Sequence, residues 1–262
     1  MFSPSAPAQG FWGAPTSSVD WCEVNYRYSP YICELFNTLS SLAIVLAGLF
    51  GVWFHRGVLE RRFLLAFLAL LMVGIGSIAF HATLRFELQM LDELPMLWLA
   101  LVMIYTLIEN QPTRRFGPWF PALLVIHGIL VSLLVLFTRG ALQFWSFQIS
   151  FSVTEFYGLY RVWRIHRRSR SATVHRFFRW GMSFYLVAIA LWSVDTHLCS
   201  FVSVTLPSWG LFNPQFHAVW HVLVSLGFYS LVLLIAYDRF DVLAIRVGLE
   251  RRFGIIPYLS RR

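Results

Sequence analysis

The sequence predicts an all-α fold: a polytopic membrane protein built as a bundle of seven transmembrane helices. Three observations carry this. Apolar residues make up 58% of the 262 and charged ones 13%, with a mean hydropathy of +0.63, which is too apolar for an ordinary soluble domain. Runs long enough to span a bilayer, at about 20 residues each, recur at 35–54, 63–82, 91–108, 118–137, 141–162, 180–201 and 214–237. All 21 basic residues are arginine, and all but Arg27, Arg85 and Arg139 fall in alternate connections or in the C-terminal tail. By the positive-inside rule those connections are cytoplasmic, so the N-terminus is expected outside or in a lumen and the C-terminus in the cytoplasm. A net charge of +8 would invite nucleic acid in a soluble protein. Placed this way it faces lipid headgroups, and no nucleic-acid partner is expected.

Residues 1–19 are rich in Pro, Ser, Ala and Gly and are expected to form a flexible tail. They lack a basic stretch followed by an apolar one, so no cleaved signal is expected. The membrane domain is placed at 20–237, and a basic cytoplasmic tail at 238–262. Asp20, Glu23 and Asn25 crowd three oxygen-bearing side chains into six residues, and Glu34 stands at the head of helix one. With a backbone carbonyl such as that of Trp21 they suit a hard cation, which takes six to eight oxygens. From the spacing alone a solvated acidic juxtamembrane segment is the first reading, and Glu34, at the edge of the lipid, is the residue that fits it least. Cys22 and Cys199 fall on the same, non-cytoplasmic side of this topology, where disulfides persist. A bridge between them is expected, the alternative being two unpaired thiols.

Helix one carries Asn37, Thr38, Ser40 and Ser41 in its outer half, fitting contact with a polar interior. Helix two ends with Ser77 and His81, four apart and therefore on one face. Helix three is expected to open Asp92-Glu93-Leu94-Pro95, with Asp92 either capping the helix or belonging to a site. In helix four, His127 reads as a satisfied interior histidine. In helix five, Glu155 needs a partner in the membrane, for which Arg161 or the Tyr157 hydroxyl is at hand. The run Arg161–Arg179 reads as a cytoplasmic loop on lipid headgroups. Asp195, near the end of helix six, lies at the depth where the other polar groups gather. It is placed to orient a metal-binding histidine through its second ring nitrogen, or else to bond a neighbouring helix. His217 and His221 repeat the four-residue spacing at the start of helix seven.

Depth connects these residues. Helix two runs outward and reaches His81 near its end; helix seven runs inward and meets His217 and His221 near its beginning; Asp92 enters at the same level. Three neutral imidazoles with an open fourth position form a catalytic zinc shell. The chemistry then expected is attack of a zinc-bound water on an amide or ester carbonyl, with Asp92 as general base and then acid. Ser77 would donate to the developing oxyanion.

These residues resemble the alkaline ceramidase family of seven-helix membrane amidases. The likeness lies in Val19-Asp20-Trp21-Cys22-Glu23-x-Asn25-Tyr26, Glu34-x-x-Asn37-Thr38, Gly74-x-Gly76-Ser77-x-x-Phe80-His81, Gln89-x-x-Asp92-Glu93, Ser193-x-Asp195 and His217-x-x-Trp220-His221. It extends over about 20–240. The resemblance implies hydrolysis of the amide of ceramide, or a related sphingolipid, to a sphingoid base and a fatty acid. It implies catalytic zinc on His81, His217 and His221, with chemistry at Ser77 and Asp92. It also implies structural or regulatory calcium on Asp20, Trp21 through its carbonyl, Glu23, Asn25 and Glu34, and it agrees with a Cys22–Cys199 bridge. The membrane would be Golgi or endoplasmic reticulum in a eukaryote and the plasma membrane in a bacterium. The alternative readings are a zinc-containing receptor of the adiponectin-receptor type and a hydrolase of another lipid amide or ester.

Overall fold

The computed structural model describes residues 10–261. The chain forms a helical bundle followed by a short hairpin: α1 Leu35–His55, α2 Arg61–Thr83, α3 Phe86–Ile108, α4 Trp119–Phe137, α5 Gly140–Arg168, α6 Ala172–His197 and α7 Phe216–Val242, then strands β1 Val247–Arg252 and β2 Ile256–Arg261. Between α6 and α7 lie a π-helical turn, Phe201–Thr205, and the short helix Leu206–Ser208. Of the long helices, α1–α4, α6 and α7 have both the length and the apolarity to cross a membrane, six against the seven expected. At 29 residues α5 is long enough, but Gln143, Gln148, Glu155 and Arg161 make it more polar than the rest. Large apolar side chains such as Leu46, Met72, Leu130 and Leu226 point outward, as lipid-facing surfaces require. This is the architecture of a multi-pass membrane protein.

The core divides by depth. At the arginine-rich end it is apolar, with Phe63, Phe67, Leu70, Leu233 and Ile235 buried. At the opposite end Glu34, Asn37, Ser41, Ser77, His81, His217 and His221 are buried.

Several boundaries differ from expectation. Helix α3 begins at Phe86, so Asp92 lies well inside the helix and does not cap it. Pro95 is likewise interior. The turn before α3 needs only Leu84 and Arg85, because Leu84 adopts a left-handed conformation, φ 47. Pro95 lacks the N–H that would bond the Leu91 carbonyl four residues back. Helix α2 passes that freed carbonyl at Gly76, where a Cβ would fall on the Leu91 oxygen. This contact sets Ser77 and Asp92 on adjoining turns of packed helices.

The Arg161–Arg179 run is mostly helical: α5 continues to Arg168 and α6 begins at Ala172, its N-terminus capped by the Ser171 side chain. Residues 238–261 are also held in the fold, unlike a surface tail. The hairpin packs Leu259 into the core, and Leu259 N–H donates to His55 Nε2 at 3.2 Å. The other His55 nitrogen donates to the Gly51 carbonyl at 2.9 Å. Of the flexible tail expected at 1–19, residues 1–9 lie outside the described residues. Residues 10–19 are held in place: Thr16 and Ser17 N–H both donate to the Leu84 carbonyl, and Ser18 N–H donates to Gln89 Oε1 at 2.8 Å.

Candidate metal centre and active site

His81, His217 and His221 converge. Their ring centroids lie 5.1, 5.0 and 4.7 Å apart, and one nitrogen from each falls within 4.8 Å of the others. All three are buried. The spacing on α7 puts two imidazoles on one face, and the last turn of α2 brings the third to the same depth.

For His81 and His221, hydrogen bonds fix which nitrogen faces inward. His81 Nδ1 donates to Glu34 Oε2 at 2.5 Å, leaving Nε2 buried without a partner. Ser40 Oγ donates to the Asn37 carbonyl and stands 2.8 Å from His221 Nδ1. With the hydroxyl proton so used, Nδ1 carries the ring proton and Nε2 keeps its lone pair. His217 is stacked on Trp21, centroids 3.6 Å apart, and its Nδ1 is also buried without a partner. Unpaired imidazole nitrogens in a dry site are costly and are the lone pairs that a metal ion satisfies. The residues present therefore fit a three-histidine metal centre.

Ser77 Oγ lies 2.9 Å from Ser41 Oγ and 3.4 Å from His221 Nε2, at the edge of the triad. Asp92 and His217 both line a cavity of about 300 Å³ that continues between the helices along Phe147, Tyr185 and Phe228. Beside Asp92, Glu93 accepts from Gln89 at 2.8 Å and from Gln143 at 3.2 Å. Asp195 does not meet a histidine ring. Its carboxylate accepts the backbone N–H of Cys22 at 3.1 Å and that of His217. The helper of a histidine ring is instead Glu34, whose role is not visible from local spacing because it stands 47 residues from His81. The Ser40 contact to His221 and the Trp21 stack on His217 are equally hidden, since the sequence singles out Ser40 only as a polar residue of helix one and Trp21 only for its carbonyl.

The second cluster is assembled around Glu34. Its Oε1 accepts Trp21 N–H at 3.3 Å, and its carboxyl meets that of Asp20. Asn25 Nδ2 donates to Asp20 at 3.3 Å, while Asn25 Oδ1 is buried without a partner. Glu23 accepts the N–H groups of Phe36 and Asn37 at 2.8 and 2.9 Å, closing the first turn of α1. Burial pushes the carboxyls of Asp20 and Glu34 up and holds Glu23 at about 7. Three desolvated carboxyls and an orphaned amide oxygen fit a cation. Cys22 and Cys199 are disulfide-bonded, with Cα atoms 5.2 Å apart, tying this segment to the end of α6.

Other marked residues fall outside both clusters. Glu155 pairs with the Tyr185 hydroxyl, and neither Arg161 nor Tyr157 serves it, since Arg161 donates to the Leu107 carbonyl and to Tyr157 itself. His127 bonds Ser150 Oγ at 2.8 Å, so the ring is satisfied, but it is exposed on the outer face of α4 and is not the interior histidine expected.

A family model described as Ceramidase matches residues 13–248. The chain belongs to the ceramidase family. Among similar proteins, alkaline ceramidase 3 of Mus musculus is 31% identical, covering 97% of this chain and 96% of its own length. Alkaline ceramidase of Arabidopsis thaliana is 28% identical over 95% of the chain and 94% of that protein. Alkaline ceramidase YPC1 of Saccharomyces cerevisiae is 29% identical over 95% and 84%. The ceramidase match spans both clusters and every long helix of the bundle.

Proposed function

We propose that this ceramidase-family chain is a zinc-dependent alkaline ceramidase of the membrane, hydrolysing the N-acyl bond of ceramide to a sphingoid base and a fatty acid. The observation that carries the reading is a buried triad of imidazoles, two of them with an unpartnered nitrogen, at the head of a mainly apolar cavity. His81, His217 and His221 would hold zinc. When bound, zinc supplies a Lewis acid that polarises the amide carbonyl and makes water acidic enough to react near neutrality.

The chain's own groups divide the remaining work. Asp92 takes a proton from the attacking water on its carboxylate and returns it to the leaving amine nitrogen. Ser77 donates its hydroxyl proton as a hydrogen bond to the oxygen where negative charge develops. Glu34 and Ser40 hold the rings of His81 and His221, and Asp195 holds the backbone on which His217 is carried. The cavity takes a hydrocarbon chain and excludes bulk water. Calcium would sit among Asp20, the Trp21 carbonyl, Glu23, Asn25 and Glu34, replacing the mutual repulsion of the carboxyls with attraction.

In this reading α5 is the seventh span, its polar residues turned to the bundle interior. The arginine-rich end faces the cytoplasm, and the disulfide end faces an oxidising compartment. That compartment is the Golgi or endoplasmic reticulum lumen in a eukaryote and the exterior in a bacterium.

The test is hydrolysis of ceramide by purified protein before chelation, after verified removal of zinc, and after reloading. Activity is expected to vanish and return with zinc; activity that persists without metal rules the mechanism out. Glu34→Gln is expected to weaken zinc binding by about 10–100-fold, as loss of a carboxylate behind a metal-binding histidine does. Competition with a chromogenic chelator measures this, and an unchanged affinity would show that Glu34 does not support His81.

A further inference from the structure

A cleft of about 560 Å³ opens at the arginine-rich end of the bundle, away from the histidine triad, between α2, α3 and α4. Its rim carries four guanidinium groups, Arg61, Arg62, Arg114 and Arg239, and two carboxylates, Glu60 and Glu109. Both carboxylates are occupied. Glu60 pairs with Arg62 at 2.9 Å and with Arg239 at 2.7 Å, and Glu109 accepts the N–H groups of Arg115 and Phe116 at 2.8 and 2.9 Å. Arg61 and Arg114 are exposed and, among the described residues, have no ion pair or side-chain hydrogen bond. The rim therefore has two spare positive charges.

Below the rim the walls turn apolar, with Leu65, Leu101, Val102 and Leu124 facing the cleft. Trp98 closes the inner end. Its ring lies against Gly128, where a Cβ would meet the indole at 2.8 Å, and its Nε1 donates to Ser132 at 3.3 Å. From Glu109 at the rim to Trp98 the cleft follows α3 inward for roughly 16 Å, at 1.5 Å per residue.

We propose that this cleft binds an anionic phospholipid of the surrounding membrane, its phosphate held by Arg61 and Arg114 and one acyl chain laid along Leu101 and Val102. Charge complementarity selects the occupant. Guanidinium forks match phosphate oxygens, and basic pockets between membrane helices suit anionic headgroups. A zwitterionic lipid would bring an ammonium to a rim already rich in positive charge. A free phosphate would use the rim and leave the slot unfilled.

The experiment places the purified protein in nanodiscs of phosphatidylcholine with a minor share of phosphatidylglycerol, re-extracts it, and counts retained lipid by native mass spectrometry. Wild-type protein is expected to retain phosphatidylglycerol about ten-fold above its share of the bilayer, the scale of charge-assisted hydrogen bonds. R61Q/R114Q should fall to the bulk ratio with its melting temperature in detergent unchanged, and its ceramide hydrolysis there should also be unchanged. Val102→Trp, which fills the slot and keeps the arginines, should lose the enrichment as well. R170Q/R176Q, altering exposed arginines elsewhere at the same end, should keep it.

Bulk-ratio lipid on the wild type, or full enrichment on R61Q/R114Q, overturns the proposal. Equal loss in R170Q/R176Q would mean diffuse attraction and also overturns it. If inorganic phosphate raises the melting temperature as much as phosphatidylglycerol does, or if Val102→Trp keeps its lipid, the occupant is an anion without a seated chain and the proposal fails. The lipid-retention and melting readouts do not depend on the zinc reading.

Discussion

His217→Ala is expected to cut ceramide turnover by about a thousand-fold or more, several kcal/mol of transition-state stabilisation, and to leave the purified chain depleted of zinc. The ring is buried between Trp21 and Trp220, at centroid distances of 3.6 and 5.0 Å, and its Nδ1 has no protein partner to lose. Its removal leaves two imidazoles, too few for a stable catalytic shell. The deleted ring also leaves a space beneath Trp21, so some thermal stability should be lost as in other large-to-small core changes. Three measurements separate these effects: initial rates on ceramide, zinc per chain by elemental analysis, and the melting temperature. Wild-type turnover in a folded His217→Ala protein would remove His217 from the chemistry.

Asp92→Asn should behave differently. The amide keeps the shape of the carboxyl but accepts no proton, so kcat is expected to fall by about 10²–10⁴-fold, the scale of general acid–base catalysis. Zinc content and the melting temperature should stay at wild-type values, because Asp92 lines the cavity beside the triad and is not among its ligands. Steady-state kinetics on both proteins, with zinc analysis on the same samples, tests the division of labour. A variant that loses zinc together with activity would show that Asp92 acts on the metal centre itself, and one that keeps its kcat would show that the proton travels by another group.

The imidazole triad was legible in the sequence because its signal is local twice over: a four-residue spacing on α7, and a histidine at the matching depth of α2. The cysteine pair was legible for a related reason, since topology alone brought both residues to one end. Contacts between distant elements were not. Nothing near Glu34 in the chain announces that one oxygen will hold His81 while the other receives Trp21 N–H. Asp195 reads in the sequence as a partner for a histidine ring or a neighbouring helix, and the N–H it receives from Cys22 belongs to a loop whose path the sequence does not specify.

Hydropathy also misplaced the start of α3. Glu87, Gln89, Asp92 and Glu93 look like a polar turn, yet Gln89 and Glu93 are buried against each other and Gln143, so the helix begins earlier than its apolar run. The closing hairpin was missed because its turn reads Phe253-Gly254, with φ values of 52 and 75, in place of the Asn-Gly or Asp-Gly pair that marks a tight hairpin. Gly254 was the one available hint.

The strands at 247–261 thus act more as a cork than as a trailing ribbon. Their main chain closes the arginine-rich end of the bundle over His55, giving it an N–H at Leu259, and the Pro257 carbonyl accepts a hydrogen bond from the Tyr229 hydroxyl of the last helix. Clipping the C-terminus before β2 would expose an imidazole and a phenol that the folded protein keeps dry, so such truncations carry the consequences of damage to the interior.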